Sequence, residues 1–343
     1  MEFNWGTGLF IIIYHTVLAI TLPLYLYYYT PSLILILITF ILVGFAGISV
    51  TTGYHRLFSH RSYKTNKITQ FLLLLGGTYG VQGSALEWSR DHRLHHAHVD
   101  TDKDPYSINK GLIYAHVLWI FEKGSRDLST VPDLTRNMLV RLQDKYYVPI
   151  LIFVLLAPTL IVGKLLGDYV GAFMMTFLLR IFLTQHTTWM INSLAHSIGS
   201  KPYSKAHTAV NNWFLSFLTY GEGYHNYHHT FPNDYRNGTK WWHVDPTKAL
   251  IWSMNKVGMA SNLRRVNPYR AQQLRIIQEK KELLSKAARL KLADVEKRLH
   301  NLSEKIATST NQIIESAKEY KIQKNKEQKK RIRYLKQSLK FDI

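Results

Sequence analysis

Four short segments gather imidazole at spacings that could hold metal. They read His55-Arg-Leu-Phe-Ser-His60, His92-Arg-Leu-His95-His96, Asn192-Ser-Leu-Ala-His196 and His225-Asn-Tyr-His228-His229. Residues three and four apart share one face of an α-helix. His92, His95 and His96 therefore project together, as do His225, His228 and His229, and Asn192 stacks one turn from His196. His55 and His60 are five apart and fall about 140° off a common α-helical face, so the helix is expected to break or tighten between them. Nine imidazoles suffice for two metal ions with four or five nitrogens each, whereas one tetrahedral zinc would leave about five unused.

The chain of 343 residues has 16 His and no Cys, which excludes thiolate sites, disulfides and iron–sulfur clusters. Imidazole suits zinc, copper, iron and nickel alike, so ligand type leaves the metal open. A carboxylate-bridged di-iron bundle needs Glu-x-x-His on two helices, and only Glu222-Gly-Tyr-His225 has that spacing. Glu222, Asp91 and Glu87 are instead placed to accept hydrogen bonds from ligand N–H groups. His15, His116, His186, His207, His243 and His300 have no partner spacing and read as ordinary core or surface histidines; so does His98, two residues past its box.

Positioning these segments is the task of a membrane frame. Hydrophobic residues are 46% of the chain and charged residues 19%, but the two are segregated. Apolar runs at about 9–29, 33–50, 147–163 and 169–191 each approach the ~20 residues that cross a bilayer core. A cleaved signal peptide fits the start poorly, because Glu2 stands where a basic segment belongs and a second apolar run follows at once. The stretch at about 68–83 is short and glycine-rich and reads as a re-entrant or interfacial helix. Arg56, Arg61, Lys64 and Lys67 follow the second span, and Lys123, Arg126, Arg136, Arg141 and Lys145 precede the third. The hairpin turns carry only Lys164 and Asp168. This bias puts both termini and every histidine box in the cytoplasm. The expected fold is an all-α integral membrane protein: four transmembrane helices under a cytoplasmic helical cap that holds a two-metal site. Residues 1–266 form this part and 267–343 a basic helical tail.

The segments GYHRLFSHRSYK (Gly53–Lys64), EWSRDHRLHHAHVDTDKDPY (Glu87–Tyr106), NSLAHSIGSKPY (Asn192–Tyr203) and GEGYHNYHHTFPNDYR (Gly221–Arg236) resemble the membrane fatty-acyl desaturases, in particular the stearoyl-CoA (delta-9) branch. The resemblance implies an enzyme of a bacterial inner membrane or the endoplasmic reticulum that inserts a cis double bond into a long saturated acyl chain, using oxygen, two electrons and two iron ions. It implies one iron held by His55, His60, His96 and His229, with Asn192 acting through a water, and another held by His92, His95, His196, His225 and His228. Gln82, Trp88, Thr188 and Trp189 match positions that shape a kinked acyl tunnel, whose end falls on the second span near Val43 and Gly47. Arg90, Asp91 and Lys123 match contacts to a thioester's phosphate-bearing headgroup. Gly83 and Gly124 replace polar or basic residues usual in the animal enzymes, which leaves acyl-CoA, another acyl thioester and a lipid open as the carrier. Hydrogen removal from an unactivated methylene needs an oxidising metal, which excludes redox-silent zinc if the reaction is right.

No C-x-x-C-H, cysteine cluster or G-x-G-x-x-G accompanies the boxes, so no fused cytochrome domain is expected and electrons must come from a separate protein, a b-type cytochrome or a ferredoxin-like carrier. Lys+Arg 43 against Asp+Glu 23, net +20, suits an acidic carrier through charge steering. The tail from about Arg270 has the pattern of a long amphipathic helix and ends in the basic run KIQKNKEQKKRIRYLKQSLK, suited to anionic lipid headgroups. It carries no nucleic-acid reading motif. A hydroxylase or acetylenase on the same scaffold would share every histidine. A histidine-rich metal transporter or sensor would need ionisable groups along its spans, and these offer little beyond His15 and Arg180.

Overall fold

The computed structural model describes residues 2–124 and 127–289 and scattered positions from 297 to 327. Residues 1–265 form one compact unit and 266–343 another. In the first, helix α1 (Trp5–Tyr28) begins where the Asn4 side chain accepts the Thr7 amide. Its buried residues Gly8, Ile11, Tyr14, Leu18 and Tyr25 form a single stripe, while Leu9, Ile12, Ile13, Ile20 and Leu24 face outward. A helix apolar all round yet packed on only one side is suited to lipid rather than water. Tyr27, Tyr28 and Tyr29 are exposed at its end, as expected of an interfacial aromatic belt. Ser32 caps α2 (Leu33–Ser49), which continues as a π-helix over Val50–Ser59.

That π-helix corrects the expected break or tightening between His55 and His60. The helix widens: the His60 amide bonds the His55 carbonyl at 3.1 Å, a five-residue step. Such a step stacks residues five apart one turn above each other, and π-turns recur at functional sites for this reason.

Among the described residues, three helices are long and apolar enough to cross a membrane: Trp5–Tyr28, Leu33–Ser59 and Tyr147–Leu166. The fourth apolar run is also helical, as Tyr169–Ala172, a second π-helix over Phe173–Leu179, and Arg180–Ser193. Arg180 interrupts its apolar character but is fully buried. Its guanidinium donates to the Tyr79 carbonyl at 2.6 Å and the Thr176 carbonyl at 3.3 Å, and lies 3.9 Å from the centre of the Tyr79 ring.

The glycine-rich stretch forms α3 (Lys67–Tyr79), packed on α2 and its π-helical extension. A Cβ at Gly77 would lie 2.2 Å from the Tyr54 ring, so the glycine permits close approach of the two helices. Left-handed Val81 and Gly83 then reverse the chain, and Ser84 caps α4 (Ala85–His98) by accepting the Glu87 amide at 3.2 Å. Three apolar clusters follow one another along α2 and its π-helical extension. One centres on Leu35, Leu18, Val162 and Leu178, the next on Ala46, Ile11, Leu155 and Trp189, and the last on Val50, Tyr54, Tyr235 and Ile251.

Gly47 faces the side chain of Tyr220, whose hydroxyl donates to the Val43 carbonyl at 3.2 Å. A Cβ at Gly47 would lie 1.9 Å from that ring. Alanine there gains about 1 kcal/mol of helix propensity but costs about 1–3 kcal/mol in overpacking. Gly47→Ala should therefore lower stability, and Tyr220→Ala in the same chain should restore part of it. Thermal unfolding in detergent checks this; an unchanged single variant would mean that Tyr220 swings aside freely.

In the second unit, a helix spans Pro268–Arg289 and carries an Arg275–Glu279 ion pair at 2.7 Å. The end of the basic run, from 328 onward, lies outside the described residues.

Candidate metal centre

Each histidine box is held by a different local device. The π-helix presents His55 and His60, and α4 presents His92, His95 and His96. His196 ends a 3-10 turn (Leu194–His196) that continues the Arg180–Ser193 helix. His225, His228 and His229 lie on a helix of only six residues, His225–Thr230. So short a helix does not persist unaided. Here the His225 and Asn226 amides bond the Val210 carbonyl, and the Asn226 side chain clamps the backbone of Tyr203, Ser204 and Ala209.

The nine imidazoles converge in two groups whose ligand atoms lie within 4.8 Å of one another: His55, His60, His92, His96 and His228 in one, His95, His196, His225 and His229 in the other. This differs from the allocation implied by the resemblance, because His92 and His228 sit with His55 while His229 sits with His95. In the first group Nε2 atoms approach at 2.8 Å (His60 and His92), 3.0 Å (His55 and His228) and 2.9 Å (His228 and His96). In the second, His229 Nε2 lies 3.1 Å from His225 and 3.3 Å from His95.

The outward-facing nitrogens set the tautomers. His95 Nδ1 donates to the Asp104 carboxylate at 2.9 Å, which leaves a lone pair on Nε2. The Thr208 hydroxyl gives its only proton to Asp100 at 2.6 Å, so its 2.7 Å contact with His196 must be donated by Nδ1. His196 Nε2 is then a buried lone pair with no hydrogen-bond partner. His92 Nδ1 pairs with the Tyr106 hydroxyl at 3.2 Å, and His55 Nδ1 lies 3.0 Å from Glu222. Burial pushes His60, His92, His96, His196, His225, His228 and His229 well below the usual imidazole range, and neighbouring imidazoles push them further. Neutral imidazoles with inward lone pairs repel one another unless a cation lies among them, and neutral is the form that binds metal. The donor set therefore fits two metal ions.

Burial pushes the Glu222 carboxyl up, but His55 and Arg56 outweigh it and hold it at about 2. Of the three expected carboxylates, only Glu222 reaches a ligand histidine. Asp91 pairs with Arg90 at 2.8 Å, and Glu87 is exposed at the start of α4. Asp104, Tyr106 and Thr208 take the role instead. Partners of this kind typically govern metal affinity by 10–100-fold. Asp104→Asn should accordingly weaken metal binding by about that factor, read by chelator competition; affinity equal to wild type would remove Asp104 from the site.

Trp88 stacks on His92 with ring centres 4.8 Å apart. Trp189 is buried, and the Thr188 hydroxyl bonds back to the Thr184 carbonyl at 2.8 Å. Gln82 is half-buried and donates to the Gly80 carbonyl at 3.3 Å. Gly124 adjoins Arg90, whereas Lys123 is paired with Glu2 at 2.7 Å. Asn192 is half-buried and adjoins the His196 turn.

A second histidine array was not legible from spacing. His15 Nδ1 bonds the Ile11 carbonyl at 2.8 Å, His15 Nε2 meets His186 Nε2 at 3.1 Å, and His186 Nδ1 meets His116 Nε2 at 3.0 Å. With both nitrogens of His186 engaged, this is a hydrogen-bonded chain beside Trp189 rather than a metal site.

Helices long and apolar enough to cross a membrane, together with two convergent sets of imidazoles, point to a membrane protein with a histidine-rich metal site. The sequence profile of the fatty acid desaturase family matches residues 30–259, and the chain belongs to that family. It is 42% identical over 247 residues to a probable acyl-CoA desaturase of Schizosaccharomyces pombe, covering 71% of this chain and 51% of that protein. It is 38% identical over 248 residues to acyl-CoA desaturase 1 of Saccharomyces cerevisiae (71% and 49%). Identity to the stearoyl-CoA desaturase of Capra hircus is 37% over 233 residues (65% and 64%). The chain thus spans about half the length of the two yeast relatives.

Proposed function

We propose that the chain is an oxygen-dependent desaturase that inserts a cis double bond nine carbons from the carboxyl end of a long saturated acyl chain carried as acyl-CoA. The observation that carries this reading is the pair of imidazole groups, five and four residues, each with one ring nitrogen per residue converging within 4.8 Å. Two iron ions held there would supply the oxidising power needed to take two hydrogens from an unactivated methylene pair. The overall reaction consumes oxygen, two electrons and two protons and yields two waters, so a separate electron-donor protein is part of the proposal. Family relatives named for acyl-CoA and stearoyl-CoA support the substrate class.

The residues around the centre have separable tasks. Asp104, Tyr106, Thr208 and Glu222 hold the imidazoles in orientation. Trp88, stacked on His92, and Trp189 shape the bend of the acyl path with Gln82 and Thr188, and Gly47 with Tyr220 borders it deeper along α2. Arg90, Asp91 and Lys123 receive the headgroup, where an arriving phosphate must displace Glu2 from Lys123. The run from Tyr169 to Ser193 serves as the fourth span, its Arg180 held by the Thr176 and Tyr79 backbone carbonyls. The histidine cap and both termini face the cytoplasm.

Expression in a host lacking its own desaturase, with fatty-acid profiling by mass spectrometry, tests the proposal. The expected product is unsaturated at the ninth carbon. Hydroxy fatty acid alone would make the chain a hydroxylase, and no product from iron-loaded protein with a competent electron donor would sink the reading.

A further inference from the structure

His207 is a tenth imidazole at the centre that neither its spacing nor the two nitrogen groups include. Both of its ring nitrogens are buried and lack a hydrogen-bond partner among the described residues. Its ring centre lies 5.2 Å from that of His229. The loop that carries it is pinned by the next residue: the Thr208 amide and hydroxyl both donate to Asp100, at 2.7 Å and 2.6 Å, and the hydroxyl accepts from His196. His207 therefore stands beside the smaller group by construction and not by a chance rotamer. Leaving even one buried ring nitrogen unsatisfied is costly, so a group of polar or metal character belongs next to it.

The geometry also limits what that group is. The nitrogens of His95, His196, His225 and His229 form a mutually close set that does not extend to His207. A metal ion held among these nitrogens would lie beyond direct reach of His207, and a small ligand bound to that ion would bridge the gap to an imidazole just outside the set. We propose that His207 hydrogen-bonds the solvent or small-molecule ligand of a metal held by the adjoining His95, His196, His225 and His229, and so steers what binds there. The proposal rests on the two-metal reading above. Burial lowers the affinity of His207 for a proton, with Asp100 opposing and Lys201 adding, consistent with a neutral ring that offers one donor and one acceptor.

The test uses the full-length holoprotein and azide as the probe ligand. Iron per chain is measured first: wild type without two metals would overturn the two-metal reading and this inference together, before any variant is made. In iron-loaded protein, His207→Phe should retain the wild-type metal content and bind azide about tenfold more weakly by optical titration. His207→Gln, which keeps a donor and an acceptor, should recover most of that affinity. Equal azide affinity in wild type and His207→Phe overturns the His207 assignment alone. Loss of one metal from both His207→Phe and His207→Gln overturns it in favour of direct ligation.

Discussion

His228→Ala is expected to reduce desaturation below detection and to lower bound metal while the chain still inserts and folds. His228 Nε2 stands 3.0 Å from His55 and 2.9 Å from His96, so it faces the middle of the five-histidine group. Its removal subtracts a nitrogen that no neighbour can replace, because His55 is held by Glu222 and His92 by Tyr106. Loss should exceed the ~10–100-fold typical of an outer partner such as Asp104. The helix carrying His228 should persist, since its anchors are Asn226 and the Val210 carbonyl and not the imidazole. His92→Ala should behave alike. Metal analysis and product profiling on one purified sample check both halves, and wild-type turnover by either variant would sink the assignment. Wild-type protein that holds two zincs and gains no activity with iron would sink it from the other side.

Much of this centre was legible because helical spacing is a strong signal. His92, His95 and His96, and likewise His225, His228 and His229, are three and four apart, and each trio supplies both groups: His92, His96 and His228 to one, His95, His225 and His229 to the other. The first two spans and Tyr147–Leu166 were equally plain as apolar runs, though α1 begins earlier, at Trp5, and the second span continues through Ser59. The link between His55 and His60 was not legible. A five-residue hydrogen-bond step has no compositional marker, and only α-helical geometry makes that spacing look wrong. Asp104, Tyr106 and Thr208 were invisible for a different reason: they come from loops, where no period relates a residue to its neighbour in space. The pairing of His15, His186 and His116, and of Gly47 with Tyr220, joins positions far apart in the chain. Only the packing of helices decides such contacts.

Arg56→Met should be the most destabilising single change in the cap. Arg56 follows His55 directly and is almost wholly buried, at 2% exposure. Its Nε and Nη2 donate to Glu222 at 3.2 and 2.9 Å, Nη2 also to Asp245 at 2.9 Å, and Nη1 to the Tyr235 carbonyl at 2.7 Å. One side chain thus ties the π-helix to the loop before the His225–Thr230 helix and to the N-terminus of Pro246–Lys256. A buried ion pair adds little net stability over an apolar replacement of all its members, but removing one member strands the others, at about 3–5 kcal/mol. Asp245 would keep the Asn237, Gly238 and Lys248 amides at 2.9, 2.9 and 2.8 Å, so most of the penalty should fall on Glu222. Glu222 would retain Asn237 Nδ2 at 2.5 Å and His55 at 3.0 Å, without a permanent positive charge. Arg56→Lys keeps the charge but not the planar fork and should lie between wild type and Arg56→Met. Because Glu222 also orients His55, Arg56→Met should lose metal from the five-histidine group before the cap unfolds. Denaturant titration of the purified protein, with metal release followed in the same samples, reads both effects. Unfolding and metal release that match wild type would show that Glu222 and Asp245 are satisfied without the guanidinium.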